Sequence, residues 1–288
     1  MVGSAPFGAP DPMKVSVVIP SSGCKYLRYS LFSLREQTVR PHEVILVVKR
    51  CPIELVERLC RLNGLPCIIV EQKRGYFTTA LNMGKENASG DIVLFTDDDV
   101  IAPKGWIERY IRAFTYAPRD VGSISSRDVY VKLDGLRILP TADDSPQIKL
   151  YRWLVRTWLE PPLDLLKEYR FGVYISKRLD VVHGPYLPDR ACLSLPYRGV
   201  NMGFKGEVMD LIEFPEHPNM RRAPGNEQYV GLKLVLSGFK SMYVPSNPVL
   251  HIYREESLSR AKRFEDEVAR EVALMKSLYA KLISSTTQ

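Results

Sequence analysis

No stretch of the 288-residue sequence approaches the about 20 consecutive apolar residues needed to cross a bilayer, so no spanning helix is expected. Cysteine is scarce: Cys24, Cys51, Cys60, Cys67 and Cys192 are odd in number and include no Cys-x-x-Cys pair. That usage predicts neither a disulfide framework nor a zinc site, and it points to a reducing cytosol. The opening MVGSAPFGAPDP lacks the basic start and apolar centre of a signal peptide, so residues 1–13 read as a flexible leader. Internal repeats, long low-complexity tracts and recognisable nucleic-acid motifs are also missing, which argues against a nucleic-acid partner. What is present is 45% hydrophobic and 25% charged, the balance of a folded chain with one large α/β domain or two small ones. A net charge of +7 favours anionic ligands without choosing among them.

From Lys14 the pattern becomes regular. The runs VSVVIP, EVILVV, CIIVEQ and DIVLFTD read as buried strands. Between them, YLRYSLFSLREQ, PIELVERLCRL and TTALNMGKENA read as helices, with Leu27, Leu31 and Leu34 on one face of the first. Unbroken apolar strands alternating with amphipathic helices predict a mostly parallel central sheet covered on both faces. Further on, 147–171 looks helical but is broken at Pro161 and Pro162. EQYVGLKLVLSGFK predicts a helix stopped by Gly238, SMYVPSNPVLHIY a strand pair or hairpin, and 257–288 a charged, solvated helix.

One stretch, LFTDDDVIAP, drives an apolar run into Asp97, Asp98 and Asp99. Carboxylates at contact distance oppose one another's ionisation, and a hard cation is the simplest relief. On an extended segment Asp97 and Asp99 project to one side and Asp98 to the other, supplying the oxygen ligands that Mg²⁺ or Mn²⁺ accepts. The alternative is a solvated acidic turn in which Asp99 caps a short helix begun by Pro103. In a parallel sheet, ligands sit outside the carboxyl ends of the strands. SSGC, KRGYF and the acidic triplet all fall at such ends, which favours the metal reading.

Five segments in this order, VSVVIP, KRGYFTTALNMG, LFTDDDV, YRGVNMGFKGEVMD and NEQYVGLKLVLSGFKSMYVPSNPVLH, resemble the family 2 glycosyltransferases over roughly residues 15–253. The resemblance implies the A-type nucleotide-diphospho-sugar transferase fold: a nucleotide-sugar-binding half (14–130), an acceptor-binding half of the same domain (131–256) and a terminal helix. It implies transfer of a sugar from a nucleotide-diphosphate donor to an acceptor hydroxyl, usually with inversion. Asp97 and Asp99 match the family's Asp-x-Asp, the first at the nucleoside and the last at the metal, with Asp98 between them. Glu227 matches the general base, although Asn226 and Glu227 stand where the family more often has Glu and Asp. His251 matches a histidine that completes the metal site or touches the diphosphate. Taken alone, a histidine ending an apolar segment is more often a hydrogen-bonded structural residue.

By the same resemblance, Pro20, Ser21 and Ser22 lie where the first loop meets base and ribose, and Arg74 is the better phosphate contact of the Lys73–Arg74 pair. Gly199, Asn201 and Met202 line the donor sugar, with Gly203 admitting the backbone. Lys49 stands where the family commonly has an acidic reader of the base, so the base is not specified. The acceptor is a carbohydrate or a lipid-linked sugar. The tryptophans, leucines and arginines of 148–171 make an amphipathic stretch that packs on the sheet as a lid, forms a dimer contact, or lies in a membrane interface at the inner face, the first two being the plainer expectations. Two other readings stand beside the transferase: a nucleotide-sugar-binding protein with lost catalysis, and a nucleotidyltransferase, whose glycine-rich opening loop is absent after VSVVIP.

Overall fold

The computed structural model describes residues 13–254 and 265–286, so the leader expected over 1–13 falls outside the described residues except for Met13. The strands predicted from unbroken apolar runs form as β1 (Val15–Ser22), β2 (Glu43–Lys49), β3 (Cys67–Glu71) and β4 (Ile92–Phe95). Between them run helices α1 (Leu27–Arg35), α2 (Ile53–Asn63) and α3 (Phe77–Glu86). Gly64 ends α2 in the left-handed conformation (φ 59°), which a residue without Cβ adopts without strain. After β4 come β5 (Val100–Ile101), α4 (Trp106–Tyr116), β6 (Val121–Ser125), β7 (Asp128–Lys132) and β8 (Arg137–Leu139).

The 146–159 segment is helical throughout but irregular, with α5 (Pro146–Tyr151), a π-turn over Arg152–Arg156 and the single turn α6 (Thr157–Leu159). Then follow β9 (Val173–Ile175), β10 (Val181–His183), β11 (Cys192–Leu193), β12 (Met202–Lys205), α7 (Asn226–Leu236), β13 (Lys240–Tyr243), β14 (Val249–Ile252) and α8 (Glu265–Thr286).

The main sheet has eight strands in the order β11-β13-β6-β12-β4-β1-β2-β3. β1 pairs in parallel with β2 and β4, and β2 with β3. β12 runs antiparallel between β4 and β6. One face packs Leu27, Leu31, Leu34, Trp106 and Tyr110 against Val17 and Leu46. The other packs Leu81, Phe204, Phe214 and Val230 against Val18 and Phe95. Apolar residues on both sides of β1, β2 and β4 thus have partners, as the continuous runs require.

A second sheet, β5-β14-β7-β8, stands beside the carboxyl end of β4. It corrects the expected hairpin over 241–253: β13 joins the main sheet and β14 the small one, so the two strands do not pair. The terminal helix differs from its expectation too. Residues 257–264, 287 and 288 lie outside the described residues, but α8 buries Met275 and Tyr279 in a third core with Tyr169, Ile175 and Leu232.

Cysteine usage misled in a further respect. Cys24 is bonded to Cys51 and Cys60 to Cys67, leaving Cys192 free. No motif spacing announces these pairs: β1 and β2 are adjacent and bring the loops carrying Cys24 and Cys51 together, while Cys60 and Cys67 join the end of α2 to the start of β3. The argument for a reducing compartment therefore loses its premise. Thiol titration of the unreduced, denatured chain is expected to count one reactive cysteine of the five.

Candidate active site

The acidic triplet follows β4 directly, where the main sheet gives way to the small one. Asp99 precedes β5 and caps no helix, since α4 begins after Gly105. Asp98 turns inward and accepts a hydrogen bond from Ser21 Oγ at 2.5 Å. Asp97 and Asp99 face His251 of β14, and ligand atoms of the three lie within 4.8 Å of one another. The register explains the convergence: His251 pairs with Val100 on one side and Tyr130 on the other, and Ile252 N–H donates to Asp99 O at 2.8 Å.

His251 lies between two carboxylates, with Nδ1 2.9 Å from Asp128 Oδ2 and Nε2 3.3 Å from Asp99 Oδ2. The Arg254 guanidinium lies 2.6 Å from the same Asp99 oxygen, as an ion pair without hydrogen-bonding geometry. Both Asp99 carboxylate oxygens are buried without a hydrogen-bond partner among the described residues. A buried carboxylate with unused lone pairs, beside a second carboxylate and an imidazole, fits a divalent cation of the Mn²⁺ or Mg²⁺ type.

Titration follows from this crowding. Burial, then the neighbouring Asp99 charge, push Asp97 up to about 7. Burial pushes Asp98 up to about 6 against the opposing hydrogen bond from Ser21. His251 is desolvated as well, yet its hydrogen bond to Asp128 and the charges of Asp99 and Asp128 prevail and push it up to about 10. For Asp128, the hydrogen bond from His251 and the Arg198 charge outweigh burial and hold the carboxyl below its usual range.

Glu227 opens α7, reached through Gly225 at φ 87°. Its carboxylate abuts Gly199: a Cβ there would lie 3.9 Å from Glu227 Cδ. Burial raises its pKa, opposed in part by its own backbone N–H and by the Arg198 charge. The segment before it is held by α8. Buried Glu271 accepts backbone N–H bonds from Arg221, Arg222 and Ala223 at 3.1, 2.9 and 2.9 Å, and Tyr279 O–H donates to Gly225 O at 2.7 Å. Asn226 is tied to Ala223 O at 2.8 Å.

Arg198 connects this corner to the metal cluster. Its Nε lies 3.7 Å from Asp128, and its terminal nitrogen 3.6 Å from Asp143. Asp143 is buried and also receives Arg152 and the Tyr197 hydroxyl. Asp128, Asp143, Arg198 and Arg254 were missed in the sequence because none stands in a recognisable motif and the partners of each are remote along the chain.

The remaining candidates divide. Ser22 is exposed at the end of β1 and accepts from Arg50 at 3.0 Å, while Pro20 and Ser21 are buried within the strand. Ser21 is committed to Asp98, so it positions the triplet rather than facing the cleft. Arg74 is exposed on the loop after β3. Beside that loop a cleft of about 520 Å³ is lined by Lys49, Gly75, Tyr76, Thr79 and His217, with Lys49 Nζ donating to Gly75 O at 2.6 Å.

Asn201 must be corrected. It is fully buried, its Oδ1 accepts from Trp106 Nε1 and Tyr110 O–H, and its Nδ2 donates to Arg127 O and Asn247 O. No capacity remains for a donor sugar. Met202 is equally buried, and Gly203 serves packing, since a Cβ there would meet Leu94 at 2.6 Å.

The sequence model described as glycosyl transferase family 2 matches residues 16–161, just over half of the chain. No curated protein matches it by sequence. Among solved structures, the chain is similar to GalNAc-T7 with UDP, GalNAc and Mn²⁺ (TM-score 0.63, 17% identity), covering 85% of this chain and 44% of that one. It is similar to the mannosyltransferase PcManGT from Pyrobaculum calidifontis with GDP-Man and Mn²⁺ (0.57, 17%; 94% and 70%). It is also similar to residues 1–349 of S. aureus TarS with UDP-GlcNAc (0.57, 17%; 91% and 66%). The chain thus spans less than half the length of the GalNAc-T7 chain. At these identities the likeness shows a shared GT-A fold, a mixed α/β architecture on a large, mostly parallel sheet.

Proposed function

The chain belongs to glycosyl transferase family 2, and from that premise we propose that it transfers a sugar from a nucleotide-diphosphate donor to an acceptor hydroxyl, with a divalent cation and inversion at the anomeric carbon. The observation that carries the reading is the convergence of Asp97, Asp99 and His251, with the Asp99 carboxylate left without a hydrogen-bond partner among the described residues, at the carboxyl end of the central strands. Those three residues would hold the cation. When bound, it supplies positive charge to the diphosphate as the nucleotide leaves. Asp128 orients the His251 imidazole from behind through Nδ1, so that Nε2 faces Asp99.

Glu227 would accept the proton of the acceptor hydroxyl. It stands at a helix start whose approach is fixed by Glu271 and Tyr279, and its raised pKa makes its carboxylate a stronger proton acceptor. Arg198, between Glu227 and Asp128, keeps a positive charge beside the carboxylate. The acceptor would be a carbohydrate or lipid-linked hydroxyl. GalNAc-T7, PcManGT and TarS were each solved with a nucleotide or nucleotide sugar, which supports a donor of that class here.

A panel of nucleotide sugars screened for thermal stabilisation with and without Mn²⁺ tests the proposal. One or more donors are expected to stabilise the chain only with the metal. If none does, the transferase reading fails. Hydrolysis or transfer of the stabilising donor separates an enzyme from a binding protein.

The metal effect has a direction in pH. Asp97, raised to about 7, holds its proton more tightly folded than unfolded. Its contribution to stability is complete below about pH 4 and lost as pH rises through about 7. Cation binding must also displace the proton from His251, which becomes easier as pH rises. The increase in Tm on adding Mn²⁺ is therefore expected to be larger at pH 8 than at pH 5. An equal or reversed difference would remove these groups from the metal site.

A further inference from the structure

The helical segment over 146–159 has its polarity reversed. A helix on a water-soluble protein buries its apolar stripe and exposes its charges. Here the residue turned inward is Arg152, 4% exposed and paired with Asp143, while Trp153 and Trp158 stand 65% and 85% exposed. Leu150, Tyr151, Leu154 and Leu159 are exposed beside them. This overturns the expectation of a lid packed on the sheet: nothing among the described residues covers the apolar side.

We propose that this ledge is a membrane seat, inserted into the interface of a bilayer containing anionic lipid. Tryptophan and tyrosine favour that zone because their rings are apolar and their N–H and O–H groups remain wet. The surroundings supply the complementary charge. Leaving aside Arg152, which is buried on Asp143, residues 146–190 carry seven Lys and Arg against five Asp and Glu, a surplus of two. Near the ledge, tied to it by the Lys149–Asp189 ion pair at 2.6 Å, Arg170 and Arg190 lie over the stacked rings of Phe171 and Tyr186. Both arginines are exposed and have no acidic partner among the described residues, which suits contact with phosphate headgroups. No described helix is long and apolar enough to span a membrane.

The seat is also joined to the chemistry. Arg152 enters Asp143, Asp143 faces Arg198, and Arg198 lies beside Glu227. A surface at this end of the cleft would present Glu227 to a hydroxyl carried by a lipid anchor. That last step rests on the transferase reading, whereas the seat does not.

Co-sedimentation of the full chain with vesicles of phosphatidylcholine, with and without phosphatidylglycerol, tests the seat. Binding is expected to require the anionic lipid, to weaken with salt and to shift tryptophan fluorescence to the blue. The double variant Trp153→Ser/Trp158→Ser should bind about tenfold less or weaker while keeping its Mn²⁺-dependent donor stabilisation. Undetectable binding at low salt, or undiminished binding by the double variant, overturns the proposal. So does a concentration-dependent dimer that buries both tryptophans and replaces vesicle binding. A chain that binds vesicles but no nucleotide sugar keeps the seat and overturns the transferase reading instead.

Discussion

Asp99→Asn is expected to lose Mn²⁺-dependent donor binding by more than the about 10–100-fold typical of residues one step removed from a metal. The substitution keeps the side chain's shape and removes its charge. Asp99 is fully buried, and its two oxygens are the ones left without hydrogen bonds among the described residues, so a cation would draw on them most. Asp97 lies more open, and Asp98 is engaged by Ser21. Folding should survive, because asparagine fills the same space, although Arg254 and His251 lose a counter-ion. Titration calorimetry of a nucleotide sugar with Mn²⁺, alongside the Tm of the metal-free variant, reads both effects. Unchanged donor affinity would reject Asp99 as a ligand, and a collapsed metal-free Tm would make it a structural residue.

Asp99 also shows what could be read from the sequence. Its charge crowding at the end of an apolar run is a local signal, and it predicted the converging loops because a parallel sheet places every strand's carboxyl end on one side. Glu227 and His251 entered through family resemblance, since each is a single residue in an unremarkable setting. Asn201 failed for a related reason. A Gly-Val-Asn-Met-Gly segment reads alike whether it lines a cleft or crosses beneath it, and the four hydrogen bonds of the Asn201 side chain, accepted from Trp106 and Tyr110 and donated to the Arg127 and Asn247 carbonyls, decide for the latter.

The disulfides and the reversed polarity of 146–159 were invisible for a different reason. Pairing of Cys24 with Cys51 depends on the adjacency of β1 and β2, and the orientation of Trp153 depends on where Asp143 draws Arg152. Both are decided by tertiary structure. Helical spacing alone shows that tryptophans and arginines occupy different sides, and it does not say which side meets water.

Glu227→Gln is expected to keep donor affinity and lose about 10²–10⁴-fold in transfer rate, the usual contribution of a positioned general base. Glutamine preserves the hydrogen-bonding outline at the start of α7 but cannot accept the acceptor's proton. The pH profile supplies a readout that a structural role would not move. Burial raises the Glu227 pKa above its ordinary 4.5, so the wild-type rate should climb with pH through a midpoint displaced above that value, as the base becomes ionised. The glutamine variant should lose that limb. Glu271→Gln probes the same corner from behind, because the three backbone N–H bonds to Glu271 hold the approach to Glu227. It should lower the rate less than Glu227→Gln and retain the limb, since the base remains. A fall of less than about tenfold for Glu227→Gln would place the base elsewhere. A product with retained anomeric configuration, read by NMR, would exclude the single displacement that requires one.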